Sequence, residues 1–287
     1  MNFLSGLEKF GLDITKGKRL FEDEEDKNDK KTEAQKAAEE RIPSEEDFLL
    51  EKRIQCKVCD KTFTMKMVKN GRVRRMEPDP DLRPRFQYID TLKYDVTSCP
   101  YCGYTAMNRY FEHIAAAQMK LIREEITSKF KPTTTKPEEM YSYDVVIDRY
   151  KLSLMNTIVK RGKVSERAYT CLKISWLLRG KIEGMPSGTE EEKQAIAACQ
   201  KEAEEFYQQA YEGFVMACSK EMFPICGMEQ STMDYLLAYM SFHFKKYEVA
   251  SKYLASVISS HGASRKMKDM ALELKEQILT ELRSQRQ

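Results

Sequence analysis

The sequence predicts an α+β protein that is mainly α, with a small β unit built on paired cysteines followed by a helical domain. Three observations lead there. Between Leu49 and Tyr104 the chain runs in short alternating segments broken by turn signals. Inside that region two Cys-x-x-Cys pairs, Cys56 with Cys59 and Cys99 with Cys102, bracket an excursion of 39 residues. After Gly103 the alternation stops, and apolar residues recur at helical spacing towards the C-terminus.

Composition sets the frame for these elements. A chain of 287 residues accommodates two domains, or one domain with extensions. Charged residues at 32% and hydrophobic residues at 41% suit a soluble protein with a large exposed helical surface. No apolar stretch approaches the ~20 residues of a membrane-spanning helix. At the N-terminus Glu8, Lys9 and Asp13 interrupt Leu4, Leu7, Phe10, Leu12 and Ile14, so no secretory signal is read there. A cytoplasmic location follows as the expectation, and in that compartment eight cysteines point to metal binding, redox catalysis or burial rather than disulfides.

Residues 1–47 read as a short apolar head and a charged linker, since residues 22–47 are dominated by Glu, Asp, Lys and Ala with little to bury. Residues 48–104 form the β unit. Within it, Thr62–Val68 and Arg72–Met76 flank Asn70-Gly71, and that dipeptide between two strand-like runs signals a type I′ hairpin. Pro78, Pro80 and Pro84 impose an irregular loop, and Arg85–Ile89 and Lys93–Ser98 are further strand candidates. Residues 105–287 form the helical domain. Its first helix is expected from Thr105 to about Phe130, with Phe111, Ile114, Met119 and Ile122 towards one side, and Pro132 and Pro137 end it. Helices then follow at about 141–160, 165–179 and 189–220, the last opened by a Thr189/Glu192 capping box, with three more to the C-terminus.

The cysteine pairs carry the chemistry. Cys99-Pro100-Tyr101-Cys102 is the tetrapeptide of glutaredoxins, so a dithiol enzyme using Cys99 and Cys102 stands as one reading. Such an enzyme would need this tetrapeptide to open a helix in a βαβ pattern and would need a later Thr-Val-Pro and Gly-Gly, which the chain lacks. Two tight turns of two thiolates each instead make a tetrahedral S4 site, with Cys56, Cys59, Cys99 and Cys102 as ligands of a structural Zn²⁺. Gly103 and Asp60, each next after a second cysteine, suit the positive φ of such turns. Closing the 39-residue excursion costs on the order of 3 kcal/mol against roughly 10–16 kcal/mol from a structural zinc. Arg53, Lys57 and Lys61 lie close enough in sequence to offset the negative charge of four thiolates around zinc. His113, His243 and His261 are isolated, and Cys171, Cys199, Cys218 and Cys226 lack paired spacing and read as buried thiols. No phosphate loop, nucleophile elbow or paired-carboxylate motif stands out, so neither catalytic nor cofactor-binding residues are assigned.

Residues 231–260 are similar to a tetratricopeptide repeat, with Leu237 and Ala238 in the first helix and Tyr247, Ala250 and Leu254 in the second. The pattern departs from the repeat at Asp234, where Trp is usual, and at Gly262, where Pro is usual. Residues 166–218 resemble a degenerate earlier pair, and an ordinary helical bundle is the alternative. Together "SGLEKFGL", "IQCKVCDKTF", "LKYDVTSCPYCGYTA" and the repeat-like tail resemble the bacterial family of domain of unknown function 2225. That resemblance implies a cytoplasmic bacterial protein with a zinc-ribbon-like knuckle and tetratricopeptide-like helices, and it brings no activity with it. The expected function is a binding adaptor for a protein partner, without catalysis and without a membrane. Nucleic-acid binding is the alternative, because residues 52–93 hold twelve basic residues against five acidic, interleaved with Phe63, Phe86 and Tyr88.

Overall fold

Leu49–Gln55 (β1) and Thr62–Val68 (β2) pair antiparallel along their whole length, from Leu49 opposite Val68 to Gln55 opposite Thr62. Burial of Leu49, Ile54, Phe63 and Met65 on this ribbon leaves Glu51, Lys52 and Arg53 in solvent. The computed structural model describes residues 42–132 and 140–284, so the predicted head and linker fall, up to residue 41, outside the described residues, as does Pro137.

This pairing corrects the expected hairpin. β2 takes β1 as its partner rather than residues 72–76, and although Gly71 has a positive φ of +81°, Asn70 does not, so the turn is not type I′. Residues 72–76 offer only Val73 and Met76 for burial, whereas β1 brings Leu49 and Ile54 onto the core, and buried apolar area decides the register. Residues 85–89 form no strand either, and Phe86 makes only an isolated bridge with Arg75.

Val96–Ser98 (β3) pairs with Thr105–Met107 (β4). Helix is expected from Thr105, but the tight turn after Cys99 folds the chain straight back on β3, where Thr105, Ala106 and Met107 are wholly buried. The expected long helix is then broken into Asn108–Phe111 (α1), Ala116–Ile122 (α2) and a π turn at Arg123–Thr127. Phe111 and Ile122 do face inwards, with Ile114 and Met119 half-buried beside them.

Six helices follow, as expected in number, and the first three lie close to the predicted limits: Tyr143–Val159 (α3), Val164–Glu183 (α4), Glu190–Lys220 (α5), Gln230–His243 (α6), Tyr247–Ser259 (α7) and Arg265–Ser284 (α8). The capping box forms as the residue types require. Thr189 Oγ1 accepts the Glu192 N–H at 3.2 Å, and the Glu192 carboxylate accepts the Thr189 N–H at 2.9 Å. Among the described residues no helix is long and apolar enough to cross a membrane.

The chain from Ser44 onward forms one compact unit. Its largest core joins Phe48, Leu49, Leu92, Tyr94, Val96 and Met107 from the β unit to Tyr150, Leu172, Trp176, Phe214 and Leu236 from the helices. A second core surrounds the cysteine pairs, and a third lies between α6, α7 and α8. Charge locks the proline-rich loop to α4. Arg83 Nη1 donates to Glu183 at 2.8 Å, Arg85 bridges Asp79 and Glu183, and fully buried Asp81 accepts from Trp176 Nε1 and Arg179.

Candidate metal centre

Each Cys-x-x-Cys pair sits in a turn that closes a two-stranded ribbon. At the end of β1, the Cys56 N–H donates to Lys61 O at 3.0 Å and the Asp60 N–H to Cys56 O at 2.8 Å. Between β3 and β4 the same pattern recurs, with the Cys99 N–H on Tyr104 O at 2.9 Å and the Gly103 N–H on Cys99 O at 3.1 Å. Asp60 at φ +59° and Gly103 at φ +74° supply the left-handed step that both turns need. A side chain on Gly103 would meet more than backbone strain, because a Cβ there would lie 2.5 Å from Phe130.

The two turns bring all four sulfurs together. Cys56 Sγ lies 3.6 Å from Cys102 Sγ and Cys59 Sγ lies 3.7 Å from Cys99 Sγ. All four ligand atoms fall within 4.8 Å of one another, and among the described residues this is the only such group of His, Cys, Asp or Glu. Cys56, Cys99 and Cys102 are buried and Cys59 is half-buried. No disulfide links them. Both of these contacts run between the two knuckles, and Cys99–Cys102 spans a strand-to-strand turn rather than the first turn of a helix.

Crowded thiols of this kind compete for charge. Cys102 and Cys56 beside it pull the Cys99 thiol below the usual thiol range, while the Cys56 and Cys99 sulfurs and burial push Cys102 above it. One thiolate therefore forms at the expense of its neighbours. A divalent cation among the sulfurs removes that conflict, since each could then lose its proton to metal coordination. The donor set and its geometry fit a metal ion.

The remaining candidates do not join this cluster. Cys171 is buried, and Cys199, Cys218 and Cys226 are half-buried. Burial raises the Cys171 and Cys218 thiols to about 11, and Cys226 Sγ donates to Ser165 O at 3.3 Å. His113, His243 and His261 are exposed, and His243 meets Glu204 at 2.8 Å. Of the basic segment, Arg83 and Arg85 serve the loop-to-α4 lock and Lys93 pairs with Glu45 at 2.7 Å. Phe63 is buried and Tyr88 stacks on Phe48, while Arg72, Arg74 and Arg75 remain exposed.

Sequence proximity named Arg53, Lys57 and Lys61 as the cations near the thiolates, and the structure uses them otherwise. Lys61 lies over the Tyr101 ring at 5.0 Å, Lys57 reaches Glu112 at only 4.0 Å, and Arg53 points to solvent. The backbone of the first knuckle takes its hydrogen bond from a more distant cation, Arg123, whose Nε donates to Val58 O at 2.8 Å. Thr127 Oγ1 donates to Cys102 O at 3.1 Å and Asn156 Nδ2 to Gly103 O at 3.1 Å. Sequence reading missed all three, which lie 25 to 65 positions from their acceptors and belong to no motif.

A family model described as "Uncharacterized protein conserved in bacteria (DUF2225)" matches residues 49–278, a span that holds both cysteine pairs. No curated protein and no solved structure matches the chain.

Proposed function

The chain belongs to this bacterial family, and we propose that it is a zinc-binding cytoplasmic protein whose helical domain acts as a binding adaptor. The sulfur spacing carries the metal assignment. A tetrahedral zinc with Zn–S of about 2.3 Å requires S···S edges of ~3.8 Å; two of the separations here are 3.6 and 3.7 Å, and all lie within 4.8 Å. Disulfide bonding would need ~2.05 Å. Cys56, Cys59, Cys99 and Cys102 would hold the ion as thiolates, and four protein ligands leave no coordination position for water. Its role is then structural. It ties the β1–β2 and β3–β4 ribbons into one unit.

The adaptor reading draws on the helices. α4 packs on α5 and α6 on α7 as successive pairs, and the wholly buried Ala238 and Ala250 let α6 and α7 approach closely. Stacked pairs of this tetratricopeptide-like kind offer an extended face for a protein segment. Nucleic-acid binding is the second reading, supported by exposed Arg72, Arg74 and Arg75, which make no ion pair among the described residues. It is weakened because Arg83, Arg85 and Lys93 are occupied within the protein and Phe63 is buried.

Elemental analysis of purified protein should return one zinc per chain, and Cys102→Ser should lose it while retaining most helical circular dichroism. Metal-free protein with disulfide-reductase turnover through Cys99 and Cys102 would replace the zinc reading with the dithiol enzyme. Affinity capture from native bacterial cells, repeated with nuclease, separates the two binding readings. Capture of the same protein partner with and without nuclease supports the adaptor. Sub-micromolar RNA or DNA binding lost in the Arg72, Arg74 and Arg75 triple substitution, with zinc retained, overturns it.

A further inference from the structure

A trans peptide carries its C=O and its N–H on opposite edges of one rigid plane. A donor that fixes the oxygen therefore also aims the hydrogen. On the first knuckle the Cys59 N–H faces Cys56 Sγ, and the oxygen of that same peptide, Val58 O, accepts from Arg123 Nε at 2.8 Å. On the second knuckle the Tyr104 N–H faces Cys102 Sγ, and the oxygen of its peptide, Gly103 O, accepts from Asn156 Nδ2 at 3.1 Å. The same device thus occurs twice. One donor comes from the π turn and the other from α3, and both reach across from outside the β unit.

The two donors differ in character. Arg123 lies at the surface and brings a full positive charge towards a centre whose four thiolates and Zn²⁺ carry a formal −2. Asn156 is wholly buried, and its amide also donates to Leu152 O at 2.9 Å, which fixes the side chain in one orientation. Each hydrogen bond in such a chain polarises the next, so the outer donor strengthens the inner N–H on sulfur. Thr127 adds a third tie through Cys102 O, from the same π turn as Arg123.

We infer that Arg123 and Asn156 are positioning residues of the metal centre, acting through the Val58–Cys59 and Gly103–Tyr104 peptides to keep N–H groups on the Cys56 and Cys102 sulfurs and so to set how long zinc stays bound. This inference rests on the zinc reading of the four cysteines. Groups one layer outside a metal's ligands commonly change metal affinity by about 10–100-fold when removed.

The test is zinc release from the full chain to a chromophoric chelator, with cobalt substitution read in parallel from the thiolate-to-cobalt and ligand-field bands. Arg123→Met keeps the aliphatic stem and removes both donor and charge, so release should quicken by about 10–100-fold. Arg123→Lys returns a cationic donor and should recover much of the loss. Asn156→Ala should quicken release as well and shift the cobalt bands. The metal-free proteins provide the control. Arg123→Met and wild type should melt together once zinc is removed, whereas a merely structural role would lower the metal-free melting temperature. Release within about twofold of wild type in Arg123→Met overturns the inference while leaving the zinc reading in place. A wild-type protein that takes up neither zinc nor cobalt overturns both.

Discussion

Replacing Asp81 tests how the proline-rich loop is held on the helical domain. Asp81 is wholly buried and accepts the Trp176 indole N–H at 2.7 Å together with a guanidinium N–H of Arg179. In Asp81→Ala the indole, on a residue only 3% exposed, has no route to water. Stranding such a donor costs about 1–3 kcal/mol. Arg179 is affected less, because its side chain is 37% exposed and can turn to solvent, so its ion pair adds only about 1 kcal/mol. The sum is about 3 kcal/mol. With an m-value of about 2–3 kcal/mol/M, the urea midpoint should fall by roughly 1–1.5 M. Trp176 is the only tryptophan in the chain, so its fluorescence reports the transition from within the site itself. Asp81→Asn keeps an acceptor for the indole and should cost about half as much. A midpoint shift below roughly 0.3 M in Asp81→Ala, with unchanged m, would refute this account of the loop.

Two further substitutions probe the knuckle and the loop lock. Gly103→Ala places a Cβ 2.5 Å from Phe130 at φ +74°, and the left-handed backbone alone costs about 1–2 kcal/mol, so zinc content and melting temperature should both fall; unchanged values would show that the turn tolerates a side chain. Glu183 is held down at about 2, first by hydrogen bonds from Arg85 and then by Arg83, so its ionised form stabilises the fold above the ordinary carboxylate value of 4.5, and that contribution disappears as the pH falls from there towards 2. Glu183→Gln should therefore melt below wild type at pH 7 and converge with it near pH 2. A difference that does not narrow on acidification would contradict the pairing.

Several features were legible because they are local. Two cysteines three apart with Gly103 or Asp60 next make a knuckle whatever the rest of the chain does, since turn backbone and ligand spacing lie within six residues. Thr189 and Glu192 mark the start of α5 for the same reason, and apolar spacing places α3 to α5 within a few residues with three more helices after them. Other features depended on which surfaces could be buried together. Asn70-Gly71 carries a strong hairpin signal, yet β2 took β1, because that partner buries Leu49 and Ile54 while residues 72–76 bury almost nothing. Thr105–Met107 continues into helix-forming sequence but becomes a strand, because the Cys99–Gly103 turn returns it to β3. Arg83, Arg85 and Lys93 read in sequence as part of a basic face, and only folding supplies Glu183, Asp79 and Glu45 as their partners. The four candidate ligands and the helical body were thus readable from residue order, since short-range geometry suffices for both. The strand partners, the fate of the basic segment and the donors on the knuckle peptides emerge only on packing, because a strand or a charge takes whichever partner the folded chain brings within reach.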